Sequence, residues 1–145
     1  MLNQISKELS RSQMHDIWIQ AKAGEPFDDE EKERIAKAML EHSEYHHIWD
    51  KLNHIKDSEI VENGVHTLLH ISMHTVIENQ LAQNTPPEVQ KTLNALVKRG
   101  TSRHEAIHAI ANEFAMELHK TLQTGRPFNN IAYKRHLEKM IIKKR

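Results

Sequence analysis

Helix-breaking residues most constrain what this chain can fold into. Its 4 Gly and 4 Pro among 145 residues gather at a few points: Gly24 with Pro26, Gly64, Pro86-Pro87, Gly100, and Gly125 with Pro127. Glycine gives up backbone entropy inside a helix and proline lacks the amide donor, so both mark boundaries. Between these points apolar residues recur at helical spacing. From about Asn3 to Ala23 the face carries Ile5, Leu9, Ile17, Trp18 and Ala21, and from Gly64 to Gln83 it carries Val65, Leu69, Met73, Val76 and Ile77. Start signals sit where they are needed. Asp28 with Glu31, Thr85-Pro86-Pro87-Glu88, and Ser102 with Glu105 read as capping boxes, and Asn129 or Asn130 caps a last helix. Residues 42–53 continue a helical pattern with a break near Ser43, residues 54–63 read as a polar loop, and no segment reads as a strand. The expected fold is all-α, one domain over residues 1–145, an antiparallel helical bundle of about five to six helices.

Several function classes drop out. Without cysteine there is no disulfide framework, thiolate nucleophile or sulfur-ligated metal. No apolar run approaches the roughly 20 residues of a membrane span, and the first residues lack a signal-peptide core, so a cytoplasmic protein with no membrane partner is expected. Formal charge is zero overall but divided: residues 1–65 carry 8 basic and 14 acidic side chains, residues 66–145 carry 12 and 6. That dipole favours self-association into a homo-oligomer and does not suit a nucleic-acid partner, whose basic residues would dominate one face.

Against this background 12 histidines stand out. Four pairs have i, i+4 spacing: His42/His46, His66/His70, His70/His74 and His104/His108. Random placement would give about one. Residues four apart lie one turn along the same helix face, so two imidazoles can reach one ion. On the third helix His70 and His74 follow the apolar arc toward Glu78; on the fifth, His104 and His108 flank Ile107 and Ala111. Imidazole and carboxylate without thiolate point to zinc or iron, with nickel or manganese also served. The candidate metal ligands are His42, His46, His70, His74, Glu78, His104 and His108. Glu41, Glu78, Asn112 and Tyr45 are the nearest candidates to hold the other ring nitrogens. His15, His47, His54, His119 and His136 read as hydrogen-bonded or surface residues.

Residues 104–108 also spell His-Glu-Ala-Ile-His. In zinc hydrolases this pattern supplies two ligands and a general base, which would be Glu105. Three features oppose proteolysis: no third histidine follows at the spacing of the longer zinc-peptidase motif, the pattern sits in the first helical turns, and Glu105 has a structural role as third residue of the Ser102 capping box. Glu44-x-x-His47 and Glu105-x-x-His108 echo the paired motif of di-iron bundles, but that scheme leaves His70, His74 and His104 unused. A non-catalytic alternative keeps the histidines as core residues of a pH-responsive or protein-interaction domain.

Glu41-His42-Ser43-Glu44-Tyr45-His46, Leu69-His70-Ile71-Ser72-Met73-His74 with Ile77-Glu78 and Gln80-Leu81, and His104-Glu105-Ala106 with His108-Ala109 resemble the motifs of a bacterial family, domain-of-unknown-function family 1841. The likeness spans most of the chain. It singles out His42, His46, His70, His74, Glu78, His104, Glu105 and His108, implies a helical domain and supplies no activity. His66 looks like an addition of this chain, and Ser43 stands where the family carries proline.

Overall fold

The computed structural model describes residues 11–142. Ile5, Leu9 and the start of the first expected helix lie outside these residues, as do Lys143, Lys144 and Arg145. Among the described residues the helices are α1 (Arg11–Lys22), α2 (Glu30–Glu41), the single turn α3 (His46–Trp49), α4 (Thr67–Gln83), α5 (Pro87–Lys98), α6 (Arg103–Thr124) and α7 (Asn130–Ile142). Short 3-10 turns occupy Ser43–Tyr45 and Asp57–Ile60. The helical expectation holds, and its boundaries follow the punctuation. Gly24 after α1 and Gly125 after α6 take φ of 72° and 73°, the left-handed conformation in which a side chain would be strained.

The capping chemistry departs from expectation in two places. Asp29, not Asp28, caps α2, its Oδ1 accepting from the amides of Glu31 at 2.8 Å and Lys32 at 3.4 Å. Pro86 precedes α5 with no side-chain cap, Pro87 takes its first turn, and the Thr85 hydroxyl donates to the Gln83 carbonyl instead. Ser102 behaves as read: its Oγ accepts from the Glu105 amide at 3.2 Å. Asn129 likewise accepts from the Ala132 amide at 3.0 Å and starts α7.

One strand pair interrupts the helices. β1 (Val61–Glu62) and β2 (Val65–His66) form an antiparallel hairpin in which Val61 faces His66 and Glu62 faces Val65. The turn is Asn63-Gly64, with φ of 51° and 81°. Two successive positive φ angles match the twist of a tight hairpin, and Asn-Gly is the sequence that adopts them most readily. The polar-loop expectation for residues 54–63 therefore gives way to a 3-10 turn and a strand, and α4 begins at Thr67 rather than Gly64.

The chain divides into two compact units, with the boundary between Thr75 and Val76 inside α4. The first has a core of Met14, Ile17, Trp18 and Ala21 from α1, Ile35, Ala36 and Met39 from α2, Ile48, Trp49 and Leu52 around α3, and Leu68 and Ile71 from α4. Burying each large side chain contributes about 1.5–3 kcal/mol. Trp49 Nε1–H donates to Thr67 Oγ1 at 3.3 Å, and that hydroxyl donates to the Ile60 carbonyl at 2.8 Å, which ties α3 to the start of α4. Arg11 donates to the Leu52 and Ile55 carbonyls and pairs with Asp57. In the second unit Phe114, Phe128 and Tyr133 pack with ring centroids 5.0–5.8 Å apart. Tyr133 O–H donates to Gln80 Oε1 at 2.7 Å, and Thr92 donates to the Leu137 carbonyl at 3.2 Å.

A candidate metal centre

The first unit builds a histidine triad from two elements. α4 carries His70 and His74 one turn apart, with ring centroids 4.6 Å from each other. The third ring comes from His42, the residue that closes α2. Its centroid lies 5.1 Å from His70 and 4.6 Å from His74. A nitrogen of His74 comes within 4.8 Å of one on His42, and one comes within 4.8 Å of a nitrogen on His70. His42 is 1% and His74 4% exposed, so two of the three imidazoles are withdrawn from water.

His42 has its tautomer set by the backbone. Its Nδ1 lies 2.6 Å from the Ala38 carbonyl, and a carbonyl only accepts, so Nδ1 must carry the proton. The lone pair is then on Nε2. This is how metal-binding histidines are commonly oriented: one nitrogen donates to a carbonyl while the other is kept basic. For His42 a backbone carbonyl plays the part that the sequence assigned to a side chain. Tyr45 packs parallel to the His42 ring at 6.0 Å and edge-on to His70 at 6.0 Å, which limits rotation of both imidazoles.

His46 does not join the triad. The i, i+4 argument assumes one continuous helix, and α2 ends at Glu41, with His42 at φ −106° and ψ 65°. Beyond this bend His46 packs on Trp18 at 4.5 Å and Trp49 at 5.8 Å, and its Nε2 donates to the Met39 carbonyl at 2.9 Å. His66 precedes α4 and its Nδ1 accepts from the Leu69 amide at 3.1 Å, so it serves as a helix cap. Asn53 Nδ2 donates to His15 Nδ1 at 2.9 Å, and His47 pairs with Glu62 at 2.8 Å, in keeping with their reading as structural residues.

Within the second unit His104 and His108 are half-buried and one turn apart at the start of α6. Glu105 between them is exposed, and its amide is held by the Ser102 cap. Glu78 is occupied: its two oxygens accept from Arg103 at 2.7 and 2.9 Å. A bidentate guanidinium–carboxylate pair is among the stronger side-chain contacts, and it holds the end of α6 that carries His104. The spacing His74-x-x-x-Glu78 suggested a ligand; nothing local signalled that Arg103 would claim the carboxylate.

The model of a domain of unknown function (DUF1841) matches residues 6–139. The chain belongs to this family. No curated protein and no solved structure matches it. Two of the three stretches that carried the resemblance to DUF1841 form the triad: His42 follows α2, Tyr45 lies in the 3-10 turn after it, and the first half of α4 supplies His70 and His74. Among the described residues no helix is long and apolar enough to cross a membrane.

Proposed function

We propose that this DUF1841 protein binds a transition metal through imidazole, with His42, His70 and His74 as ligands. The observation that carries this reading is the triad: three rings within 5.1 Å of one another, one with its proton committed to the Ala38 carbonyl. Three imidazoles leave a fourth position for water or substrate, as in catalytic zinc sites. Zinc and iron suit this donor set best, with nickel and manganese as further candidates. On its spacing alone, the His104/His108 pair is a second candidate ligand pair. If the bound metal is zinc, Glu105 is the residue to act as general base in hydrolysis.

Elemental analysis of untagged protein, purified without a nickel column, tests this. We expect one or two equivalents of a single metal, lost in His70→Ala and His74→Ala and retained in His46→Ala and His66→Ala. One equivalent abolished by both His70→Ala and His104→Ala would mean a shared ion; two equivalents, each variant losing one, would mean separate ions. No metal on purification and no uptake on titration would overturn the reading and leave the triad as core structure.

A further inference from the structure

The first unit also gathers three of the four Trp and Tyr side chains, which can give up a single electron. Of 2 Trp and 2 Tyr in the sequence, Trp18, Trp49 and Tyr45 stand in file beside the triad. The Tyr45 ring centroid is 6.0 Å from both His42 and His70, Trp49 is 5.8 Å from Tyr45, and Trp18 is 5.5 Å from Trp49. Both indoles are buried, with 0% and 1% exposure for Trp49 and Trp18. The far end of the file has a proton acceptor: Trp18 Nε1–H donates to Asp50 Oδ1 at 2.8 Å. Lys22 donates to the same oxygen at 2.6 Å and lies 5.7 Å over the Trp18 ring.

Electron transfer between rings falls steeply with separation, so adjacent aromatic rings at these spacings exchange electrons faster than any single step across the unit. The Lys22 ammonium opposes a positive charge on the Trp18 ring. A vacancy left by an electron therefore settles on Trp18 only if the indole gives up its Nε1 proton, and Asp50 is in place to take it.

We propose that Tyr45 and Trp49 relay one electron from Trp18 to the histidine triad, with Asp50 taking the Trp18 proton, when a peroxide reacts with iron held by the triad. The relay rests on the metal reading above and selects iron within it. Reducing one hydrogen peroxide to two waters takes two electrons and two protons. Ferrous iron gives one electron and becomes ferric. Trp18 gives the other through Trp49 and Tyr45 and becomes a neutral radical; its Nε1 proton passes to Asp50, and solvent supplies both protons consumed at the peroxide. Oxidising equivalents then leave the site without attacking its imidazoles.

The test uses the full chain loaded anaerobically with ferrous iron, then mixed with hydrogen peroxide. Rapid-freeze electron paramagnetic resonance reads the tryptophan radical, and peptide mass spectrometry reads stable oxidation at Trp18. Zinc-loaded protein is the redox-silent control. We expect a tryptophan radical and Trp18 oxidation only with iron. Trp49→Phe and Tyr45→Phe, which keep a ring at each place, should bind iron normally and show Trp18 oxidation no higher than the zinc control. Failure to take up iron would overturn the relay together with an iron reading of the site. Iron taken up with Trp18 untouched, or with Trp18 oxidised equally in both variants, would overturn the relay alone.

Discussion

His42 illustrates how much a single position can decide. As the residue just after α2 it leaves the helical conformation, which turns its imidazole toward α4 while its Nδ1 stays bonded to the Ala38 carbonyl four residues back. The same bend removes His46 from the triad. Glu105 poses the opposite question, since a cap and a general base occupy one residue. Ser102→Ala should lower stability by about 1 kcal/mol, the usual cost of losing such a cap, read by urea denaturation; an unchanged midpoint would show that the Glu105 amide is satisfied by water. Glu105→Gln should leave metal content unchanged, because no ligand is removed. Loss of metal in that variant would make Glu105 a ligand rather than a base.

At the scale of elements, the Asn63-Gly64 turn sets the register of the hairpin and so the direction in which α4 starts. Gly64 has φ of 81° with open space where a Cβ would go, so any cost of substitution is conformational rather than steric. Gly64→Ala should destabilise the protein by about 1–2 kcal/mol, the penalty of a left-handed residue with a side chain. Thermal unfolding checks this, and a neutral result would mean the turn relaxes. The Asn-Gly pair was legible in the sequence, but the flanking strands are two residues each, too short to show alternation. In α4 the expected inner residue Leu69 is 41% exposed, whereas Leu68, Ile71, His74 and Thr75 are buried. A helix buried around much of its circumference has no single apolar face to read.

At the scale of the whole molecule, buried phenols should make stability depend on alkaline pH. Burial pushes the Tyr133 phenol up, with the Gln80 hydrogen bond acting the other way. Tyr45 is raised by burial and by the charges of Glu44 and Glu62. A phenol held above its unfolded value of about 10 stays protonated in the folded chain after the unfolded chain has lost its proton. Its contribution is whole below that pH and is lost as pH rises through the folded value. Tyr133→Phe should therefore flatten the alkaline fall in unfolding free energy, and an unaltered fall would assign it to other groups. Asp50 has the reverse sign. The hydrogen bonds from Lys22 and then Trp18 hold its carboxyl below the usual range. Its contribution is present above about pH 3.9 and is lost as pH falls through the lower folded value.

The all-α class, most helix ends and the pairing of His70 with His74 were determined by the sequence alone, because each depends on residues within about one turn of one another: a glycine at a left-handed position, a serine three residues before an amide, two imidazoles four apart. The tertiary structure decided what those elements meet. It added His42 to the pair on α4, turned His46 onto Trp18, and gave the Glu78 oxygens to Arg103. These outcomes depend on where a helix bends and which distant side chain arrives first. Neither is encoded in local spacing, since a carboxylate or an imidazole has the same appearance in sequence whether it faces a metal, a guanidinium or an indole.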